Sequence, residues 1–436
     1  MKLPSDDPAL ASATYAAGVN PPRAQPLEGA RTSDVVVVGA GITGLSTALH
    51  LAKRGREVTV LDSGAVAHGG SGRALGLVLP HHKLSAGELV ARFGAKAGER
   101  LASGILAGPN LVKSLIEDHG IACDLTEGGW IMAAHTQSAE HRIHATVARW
   151  REQTEQVELL SQERIEEATG SRLYRCGLLD RRALGLNPYA YAAGLAQAAI
   201  GLGVTIHTHS RVLSLKERDR QWRAITATGE VQAPEIVIAT DAYADHLIPA
   251  VRKAILPIRA YQLVTEPLPA PLAAAILPAR SILTDTRRLY GGIRKTADGR
   301  LQISADGPPT DLSGHAFRTA GQHRIRALYL QLGEIRWADE WSGWVGMTRS
   351  HLPHVWHVQK GLTAAVGMNG RGIAMATLLG RDLSRRLTGA RDEDCFMPIE
   401  APRPWWAHGA LHPAVAMTVQ WYRLLDRMDT RGASQA

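Results

Sequence analysis

Residues 34–62 read DVVVVGAGITGLSTALHLAKRGREVTVLD, and this stretch decides the fold. The four valines after Asp34 are typical of a strand that is buried on both faces. Gly39, Gly41 and Gly44 follow at once in the spacing GxGxxG. In this pattern the first glycine makes the tight turn, the second lets the backbone approach a pyrophosphate, and the third lets helix and strand pack closely.

The sequence around the glycines completes a nucleotide-binding unit. Ile42, Leu45 and Leu49 give the next helix an apolar face, and Gly55 marks its end. A second strand ends at Asp62, whose carboxylate can bind ribose hydroxyls. The helix N-terminus offers unpaired N–H groups and a positive dipole to a diphosphate. The strand, the glycine turn, the amphipathic helix and the terminal acid together predict a dinucleotide site.

Composition narrows the class of protein. The chain has 436 residues, 45% of them hydrophobic and 21% charged, which is typical of a globular protein long enough for two domains. Its 49 basic and 41 acidic residues give a net charge of +8 without any dense basic block, which argues against nucleic-acid binding. Cys123, Cys176 and Cys395 form no CxxC pair, which argues against a disulfide framework or a zinc site.

Targeting signals are missing from the sequence pattern. The N-terminal stretch MKLPSDDPAL lacks the charged and then apolar arrangement of a signal peptide. No run reaches the ~18 apolar residues that a membrane span requires. These features predict a cytoplasmic protein without a transmembrane segment.

The rest of the chain predicts two domains that alternate along the sequence. A Pro-rich lead-in wraps over the first domain, and residues 254–306 alternate as antiparallel strands do. We predict an α/β fold, with a Rossmann-like nucleotide domain and an α+β second domain built on a discontinuous antiparallel sheet. The predicted bounds are 1–83, 150–250 and 340–400 for the first domain, 84–149 and 251–339 for the second, and 401–436 for a C-terminal helical extension.

A second glycine turn lies in GLTAAVGMNGRGIAMATLLGRDL. Leu362 to Val366 predicts a strand, Gly367 to Gly372 a tight turn, and Ile373 to Leu383 a helix. A turn at a helix N-terminus can direct the helix dipole at another anionic part of a cofactor.

Four segments resemble the D-amino-acid oxidase-like FAD-dependent oxidoreductases. They are the opening GAGITGLSTALHLAKRGREVTVLD, the loop GGSGRALG, the strand end ATDAYA and the closing GMNGRGIAMATLLGR. The sequence pattern of these segments most resembles the branch of glycine oxidase, sarcosine oxidase and gamma-glutamylputrescine oxidoreductase. The resemblance spans nearly the whole chain. Its most specific part is the first nucleotide unit paired with an NGRG turn about 300 residues later.

The resemblance implies FAD at the interface between the two domains. The first glycine turn would hold the pyrophosphate, Asp62 the ribose, and the GGSGR loop the pyrophosphate and ribityl chain. The helix dipole at the second turn would stabilise the anion that builds up on the flavin during reduction. The implied cofactor-binding residues are Gly39, Gly41, Ile42, Thr43, Gly44, Asp62, Ser63, Gly70, Ser71, Gly72, Arg73, Leu77, Val212, Thr240, Gly370, Arg371, Gly372 and Ile373.

Two departures from the family pattern concern the flavin. Sarcosine-oxidase relatives attach it through a cysteine in the stretch matching Gly346 and Met347, where this chain has none. Relatives with a histidyl link carry it in the Gly-rich loop, and His68 stands too early in that loop. The resemblance therefore implies noncovalent FAD. Several oxidases place a lysine where this chain has Gln302, so the electron acceptor stays open between oxygen and another carrier.

The resemblance also implies the reaction, which is oxidation of a C–N bond in an amine or amino acid to an imine that water hydrolyses. Tyr290 and Arg294 lie where relatives bind substrate carboxylates or polar tails, and they are the predicted catalytic residues. An arginine offers a planar fork to a carboxylate. A surface ion pair is the alternative for Arg294. Tyr261 and Gln262 either close the pocket or pack structurally.

Several further residues and functions stay open. His81 and His82 either approach the flavin or have a structural role, and the spacing of His351, His354 and His357 does not suit a metal site. No metal is predicted. An aromatic-ring monooxygenase and a noncatalytic FAD-binding subunit are the alternative functions. The predicted partners are a small amine or amino-acid substrate and an electron acceptor.

Overall fold

The glycine-rich unit folds as the sequence predicts. The strand Val35–Val38 is buried along its whole length, the helix Ile42–Ala52 follows, and the strand Val58–Leu61 pairs in parallel with the first. The structure is a computed structural model that describes residues 13–288, 291–306 and 314–406, together with residues 408, 417, 418, 420–422, 424–426 and 428.

Helices and strands alternate through most of the described chain. In chain order the helices α1 to α12 are Ala13–Ala16, Ile42–Ala52, Ala86–Phe93, Ala95–Leu106, Gly108–Asp118, Gln137–Arg151, Gln162–Thr169, Pro188–Gly201, Pro249–Ala254, Ala270–Ala275, Gly314–Leu328 and Gly372–Leu387. The strands β1 to β21 are Gly29–Thr32, Val35–Val38, Val58–Leu61, Leu77–Val78, Trp130–Ala133, Val157–Leu160, Gly177–Asp180, Leu184–Gly185, Thr205–His207, Ser214–Arg218, Gln221–Ile225, Gly229–Ala233, Glu235–Ile238, Leu256–Thr265, Ile282–Asp285, Gly292–Lys295, Leu301–Asp306, Trp337–Met347, His354–Gln359, Leu362–Val366 and Ile399–Glu400. The described residues from 417 onward are helical.

A seven-stranded sheet, counted over the described residues, forms the nucleotide domain. Its strand order is β21-β19-β20-β13-β2-β3-β9, and β2 is parallel to both of its neighbours. Parallel strands end at the same edge of a sheet, so Gly39, Asp62 and Ala239 follow three neighbouring strands at one edge. A smaller sheet of order β1-β12-β11-β10 packs beside it.

An eight-stranded sheet, again counted over the described residues, forms the second domain. Its order is β18-β14-β17-β16-β15-β5-β7-β6, and all pairs are antiparallel except β15 with β5. Leu263, Ile293 and Ile303 are buried on the face that forms this domain's own apolar core. The opposite face of its first three strands is turned to the nucleotide domain.

The structure corrects the predicted domain boundaries. Strands β6 and β7 belong to the second sheet and not to the nucleotide domain, and β18 extends the second sheet to Met347. Helices α3, α4 and α5 were predicted to lie in the second domain but pack with the nucleotide domain. Their Leu89, Leu101 and Val112 share one buried cluster with β2 and α2. Which sheet or core an element joins depends on partners far away in sequence, and local patterns do not specify those partners.

The lead-in also lies differently from the prediction, because it is anchored between both sheets. The Thr14 N–H donates to Oδ2 of Asp339 over 2.9 Å, and Nδ2 of Asn187 donates to the Tyr15 carbonyl over 3.0 Å. The buried Tyr15 ring lies 4.9 Å from the Trp341 ring.

No helix in the described part of the chain has both the length and the apolar composition needed to cross a bilayer.

Candidate active site

A cavity of about 520 Å³ separates the glycine turns of the nucleotide domain from strands β14, β17 and β18 of the second sheet. Every predicted cofactor-binding residue lines this cavity except Gly44 and Gly72. Those two glycines pack directly behind its wall, where a Cβ atom would overlap the carbonyl groups of Gly39 and Ala67 respectively. The structure thus brings together segments that lie about 300 residues apart, as the family resemblance implied.

The first glycine turn forms a cradle that a side chain would fill. Gly39 has a φ of +113°, and a Cβ there would lie 2.8 Å from the Ala239 carbonyl oxygen. A Cβ at Gly41 would lie 2.8 Å from Oγ of Ser71. The N–H of Ile42, at the start of α2, donates to the same Oγ over 2.9 Å. Backbone donors and a hydroxyl therefore surround a space suited to a pyrophosphate.

Asp62 occupies the end of β3, as predicted. Its carboxylate accepts the backbone N–H groups of Ala40 over 2.6 Å and of Gly64 over 2.8 Å. Burial raises the pKa of this carboxyl to about 6, and the two N–H bonds oppose that rise. Each carboxylate oxygen has a second lone pair, so Asp62 keeps acceptor capacity for ribose hydroxyls.

The second glycine turn leads into α12 and places Arg371 on the cavity wall. Nη1 of Arg371 donates to Nδ1 of His81 over 2.6 Å. The ring of His81 lies 4.7 Å from Trp130 and 5.0 Å from Trp150. Burial and the Arg371 charge hold the pKa of His81 well below its usual range. His81 is therefore a neutral acceptor that orients Arg371.

Asp241 is a site residue that sequence reasoning missed. Its carboxylate accepts the Gly367 N–H over 2.6 Å and also faces the N–H groups of Gly346 and Met368. Burial raises the pKa of Asp241 against these bonds, and its φ of +44° is unusual for a residue other than glycine. Three chain segments meet at this one carboxylate beside the cavity. The available signal was its place in ATDAYA, at the end of β13.

The far wall of the cavity comes from alternate residues of β14. Ile258, Ala260 and Gln262 line the cavity, whereas Leu263 belongs to the apolar core on the other face of the sheet. Tyr261 also faces away from the cavity, because its ring packs 5.0 Å from Phe317. Of the two candidates on this strand, Gln262 reaches the site.

Gln302 lies beside that wall, on the neighbouring strand β17. It is fully buried, and its Nε2 donates to Oε1 of Gln262 over 2.9 Å. Its Oε1 accepts the Tyr15 hydroxyl over 2.8 Å. Gln302 therefore touches the cavity through Gln262, and the strand position where oxidases often have lysine carries a neutral, hydrogen-bonded amide.

The structure corrects the predicted placement of Arg294. This side chain is only 2% exposed and does not belong to the described lining of the cavity. Its Nη1 donates to the carbonyl groups of Leu186 and Leu75, and Nη2 lies 3.3 Å from Oδ2 of Asp124. Asp124 comes from a loop 170 residues away, which the sequence pattern does not reveal. The other predicted catalytic residue, Tyr290, lies outside the described residues.

Potential metal ligands meet elsewhere. Within the described residues, Glu140, His144 and Cys176 bring ligand atoms within 4.8 Å of one another. Glu140 also forms an ion pair of 3.4 Å with Arg175, which competes for its carboxylate. The predicted absence of a metal stays a prediction.

A parallel sheet with two glycine turns, facing a cavity closed by an antiparallel sheet, defines a dinucleotide-dependent oxidoreductase. The open cradle at Gly39 and Gly41, the acceptor Asp62 and the second helix N-terminus fit FAD. The chain belongs to the DAO family of FAD-dependent oxidoreductases, because the family model described as "DAO: FAD dependent oxidoreductase" matches residues 34–386. This confirms the predicted family, fold class and cofactor.

Individual relatives are similar over most of their length. The probable oxidoreductase OrdL of Haemophilus influenzae is 27% identical over 408 residues, which cover 92% of this chain and 94% of the relative. Gamma-glutamylputrescine oxidoreductase of Escherichia coli is 27% identical over 410 residues, 91% of this chain and 93% of the relative. The crystal structure of glycine oxidase from Geobacillus kaustophilus has a TM-score of 0.69 at 24% identity, and the match covers 84% of this chain and 98% of that chain.

Proposed function

We propose that the enzyme binds FAD noncovalently and oxidises a C–N bond of an amine or of an amino acid, with or without an N-alkyl group. When bound, FAD would supply the acceptor for the hydride of the carbon next to nitrogen; the amine would lose a proton as the hydride leaves, and water would hydrolyse the imine product. The names of the relatives support this substrate class, since gamma-glutamylputrescine oxidoreductase and glycine oxidase are named for an amine and an amino acid.

One observation carries the proposal, which is that a single cavity joins the dinucleotide cradle to the second sheet. The cradle side holds Gly41 and Asp62, and the opposite side holds Gln262, Ser304 and Trp344. A cofactor held in the cradle and a substrate bound on the second sheet would therefore share one cavity. The reacting carbon of the substrate must come within about 3–3.5 Å of the acceptor atom, and two fixed walls can provide that alignment.

The chain supplies positioning and electrostatics. The apolar part of the far wall, with Ile258, Val345 and Met347, keeps water from the reacting atoms. Arg371, oriented by His81, and the N-terminus of α12 supply positive charge at the cavity wall, which would stabilise the negative charge of a reduced cofactor bound there. The proposal allows two kinds of electron acceptor for reoxidation, oxygen or another carrier.

Anaerobic reduction tests the proposal. Purified FAD-loaded protein is mixed under nitrogen with a panel of amines and amino acids, and loss of flavin absorbance is followed by stopped flow. We expect bleaching by at least one amine and none by NADPH. Bleaching by NADPH alone would indicate a monooxygenase, and no bleaching by any donor would indicate a noncatalytic subunit. Reoxidation with oxygen against a quinone then identifies the acceptor.

A further inference from the structure

We infer that Glu140, His144 and Cys176 form a binding site for a divalent metal ion of the zinc class. The site lies on the second domain, where α6 meets the start of β7, and none of the three residues belongs to the described lining of the cavity. The inference does not rest on the proposed amine oxidation. It departs from the sequence-based prediction of no metal, which considered only the spacing of other histidines and of the cysteines.

Helix α6 supplies two of the ligands from one side. Glu140 and His144 are four residues apart on this helix, so their side chains are neighbours on its surface. Each directly follows a buried residue of the apolar face, Ala139 or Ile143, which packs into the core beneath the helix. A carboxylate and an imidazole therefore lie at the edge of the face that α6 turns to the sheet.

Cys176 supplies the third ligand from the sheet. It directly precedes β7, and its carbonyl oxygen accepts the Ala134 N–H over 3.0 Å, which fixes the backbone at this point. The side chain is only 3% exposed, and its thiol has no hydrogen-bond partner among the described residues. One ligand atom from each of the three residues lies within 4.8 Å of the other two. A buried thiol without a partner is thus directed at a carboxylate and an imidazole.

The three ligand types identify the class of metal. Zinc binds thiolate sulfur, imidazole nitrogen and carboxylate oxygen, whereas magnesium and calcium prefer oxygen ligands. With bonds of about 2.0–2.3 Å, the ligand atoms around a tetrahedral zinc ion are about 3.3–3.6 Å apart. Side-chain rotation on α6 can close the remaining distance, because the His144 ring is exposed and no described residue holds it by a hydrogen bond. Zinc binds the thiolate, so the thiol proton of Cys176 passes to solvent.

Arg175 competes for the carboxylate but is displaceable. Its Nε lies 3.4 Å from Oε2 of Glu140, and its side chain is 66% exposed. An exposed ion pair of this kind contributes little, because solvent screens both charges. A divalent ion bonds all three ligands at once, so it replaces the guanidinium, which stays solvated. The exposed His144 leaves the fourth coordination position open to water.

A bound ion would cross-link α6 to the outer part of the second sheet. Strand β6 is the last strand of that sheet, and α6 packs against both β6 and β7. Two ligands come from the helix and the third from the start of β7. The site therefore has a structural role, since a metal that binds only the folded arrangement stabilises it.

Zinc binding to the FAD-loaded, untagged protein tests the inference. The protein is dialysed against graded concentrations of zinc, and bound zinc is counted by atomic emission. Excess magnesium in the buffer occupies sites that are made only of carboxylates. We expect about one zinc ion per chain, and we expect Cys176→Ser and His144→Ala each to weaken zinc binding by about 100-fold or more.

Two matched variants control for other cysteines and histidines. Cys123→Ser changes a buried cysteine in the core of the nucleotide domain, and His141→Ala changes an exposed histidine of the same helix. Both should bind zinc as the unaltered protein does. Equal binding in Cys176→Ser and the unaltered protein, or no stoichiometric binding in the unaltered protein, would overturn the inference. If Cys176→Ser does not fold, the exposed His144→Ala decides in the same way.

Cobalt(II) reports the ligands directly, because it takes the place of zinc in tetrahedral sites. Tetrahedral cobalt with a thiolate ligand absorbs in the red, beyond the bands of oxidised flavin. We expect this absorption to saturate as cobalt is added to the unaltered protein and to Cys123→Ser, and to be missing from Cys176→Ser. A cobalt spectrum that Cys176→Ser leaves unchanged would show that the ion binds elsewhere and would overturn the inference.

Discussion

The carboxylate of Asp241 fills the space in which a side chain at Gly346 would lie. The N–H of Gly346 points at that carboxylate, together with the N–H of Gly367 from the second glycine turn. The end of β18 is therefore held against this turn with only backbone at position 346. In sarcosine-oxidase relatives the flavin-linking cysteine lies in the matching stretch, and here that stretch is closed to a side chain at 346.

This arrangement leads to the expectation that FAD is released intact. Precipitating the protein with acid should unfold the cradle and leave all yellow colour in the supernatant, because no covalent bond is available. Absorbance of the supernatant and of the washed pellet measures the two fractions. Colour that stays with the pellet would show a link at another residue.

Gly41→Val should give colourless protein. The new side chain would occupy the pyrophosphate space, where even a Cβ lies 2.8 Å from Oγ of Ser71. The ratio of flavin to protein absorbance measures the effect. Gly201→Val is a matched control, since a Cβ at this exposed position near the end of α8 meets nothing within 4 Å. Normal flavin content in Gly41→Val would contradict the assignment of the cradle.

Arg294→Met should destabilise the protein rather than select among substrates. It leaves the Leu75 and Leu186 carbonyl groups without their buried donor, which typically costs about 1–3 kcal/mol, whereas Asp124 keeps its 2.6 Å pair with Arg280. Chemical unfolding measures the loss. Arg172→Met is the control, because its 2.7 Å pair with Glu166 lies on the surface and should contribute little.

The outcome for Arg294 also bears on its first assignment. If Arg294→Met folds with normal stability and loses activity only toward carboxylated amines, the arginine is a substrate anchor after all.

Acid should destabilise the fold partly through His82. This side chain is buried, and neither ring nitrogen has a hydrogen-bond partner among the described residues. Burial lowers the pKa of His82 to about 3, from an ordinary value of 6.5. Because the unfolded chain binds the proton first, stability is lost as pH falls from about 6.5 toward 3.

His82→Leu should remove this contribution. We expect the loss of unfolding free energy between pH 7 and pH 5 to shrink by about 2 kcal/mol, as urea unfolding at both pH values would measure. The exposed His141→Leu serves as the control and should keep the wild-type pH dependence. An unchanged pH dependence in His82→Leu would mean that His82 is charged or paired in the folded protein.

The nucleotide domain was predictable because its signals are local. The strand, turn and helix of residues 34–62 are each specified by neighbouring residues, and the glycines of the first turn mark positions where side chains do not fit. The alternation of β14 residues between the two faces of the sheet likewise follows from the two-residue period of a strand. Which of the two faces meets the cavity could not be predicted from that period.

The substrate wall was less predictable because its residues acquire their roles from distant partners. Arg294 is the residue type expected of a carboxylate anchor, but its guanidinium pairs with Asp124, 170 residues earlier. Gln302 was expected near the flavin, but it is bonded to Tyr15 and lies outside the lining of the cavity. The place of Asp241 in ATDAYA does not predict its bonds to Gly346 and Gly367, since these form only when three segments converge.

The anchoring of the lead-in has a consequence for synthesis of the protein. Gln302 is made 287 residues after Tyr15, and Trp341 is made later still. At about 5–20 residues per second, the nascent chain waits some 15–60 s or more before this packing can form. The apolar Tyr15 ring and its neighbours are exposed meanwhile, so translation speed and chaperone supply should limit the yield of native enzyme during overexpression.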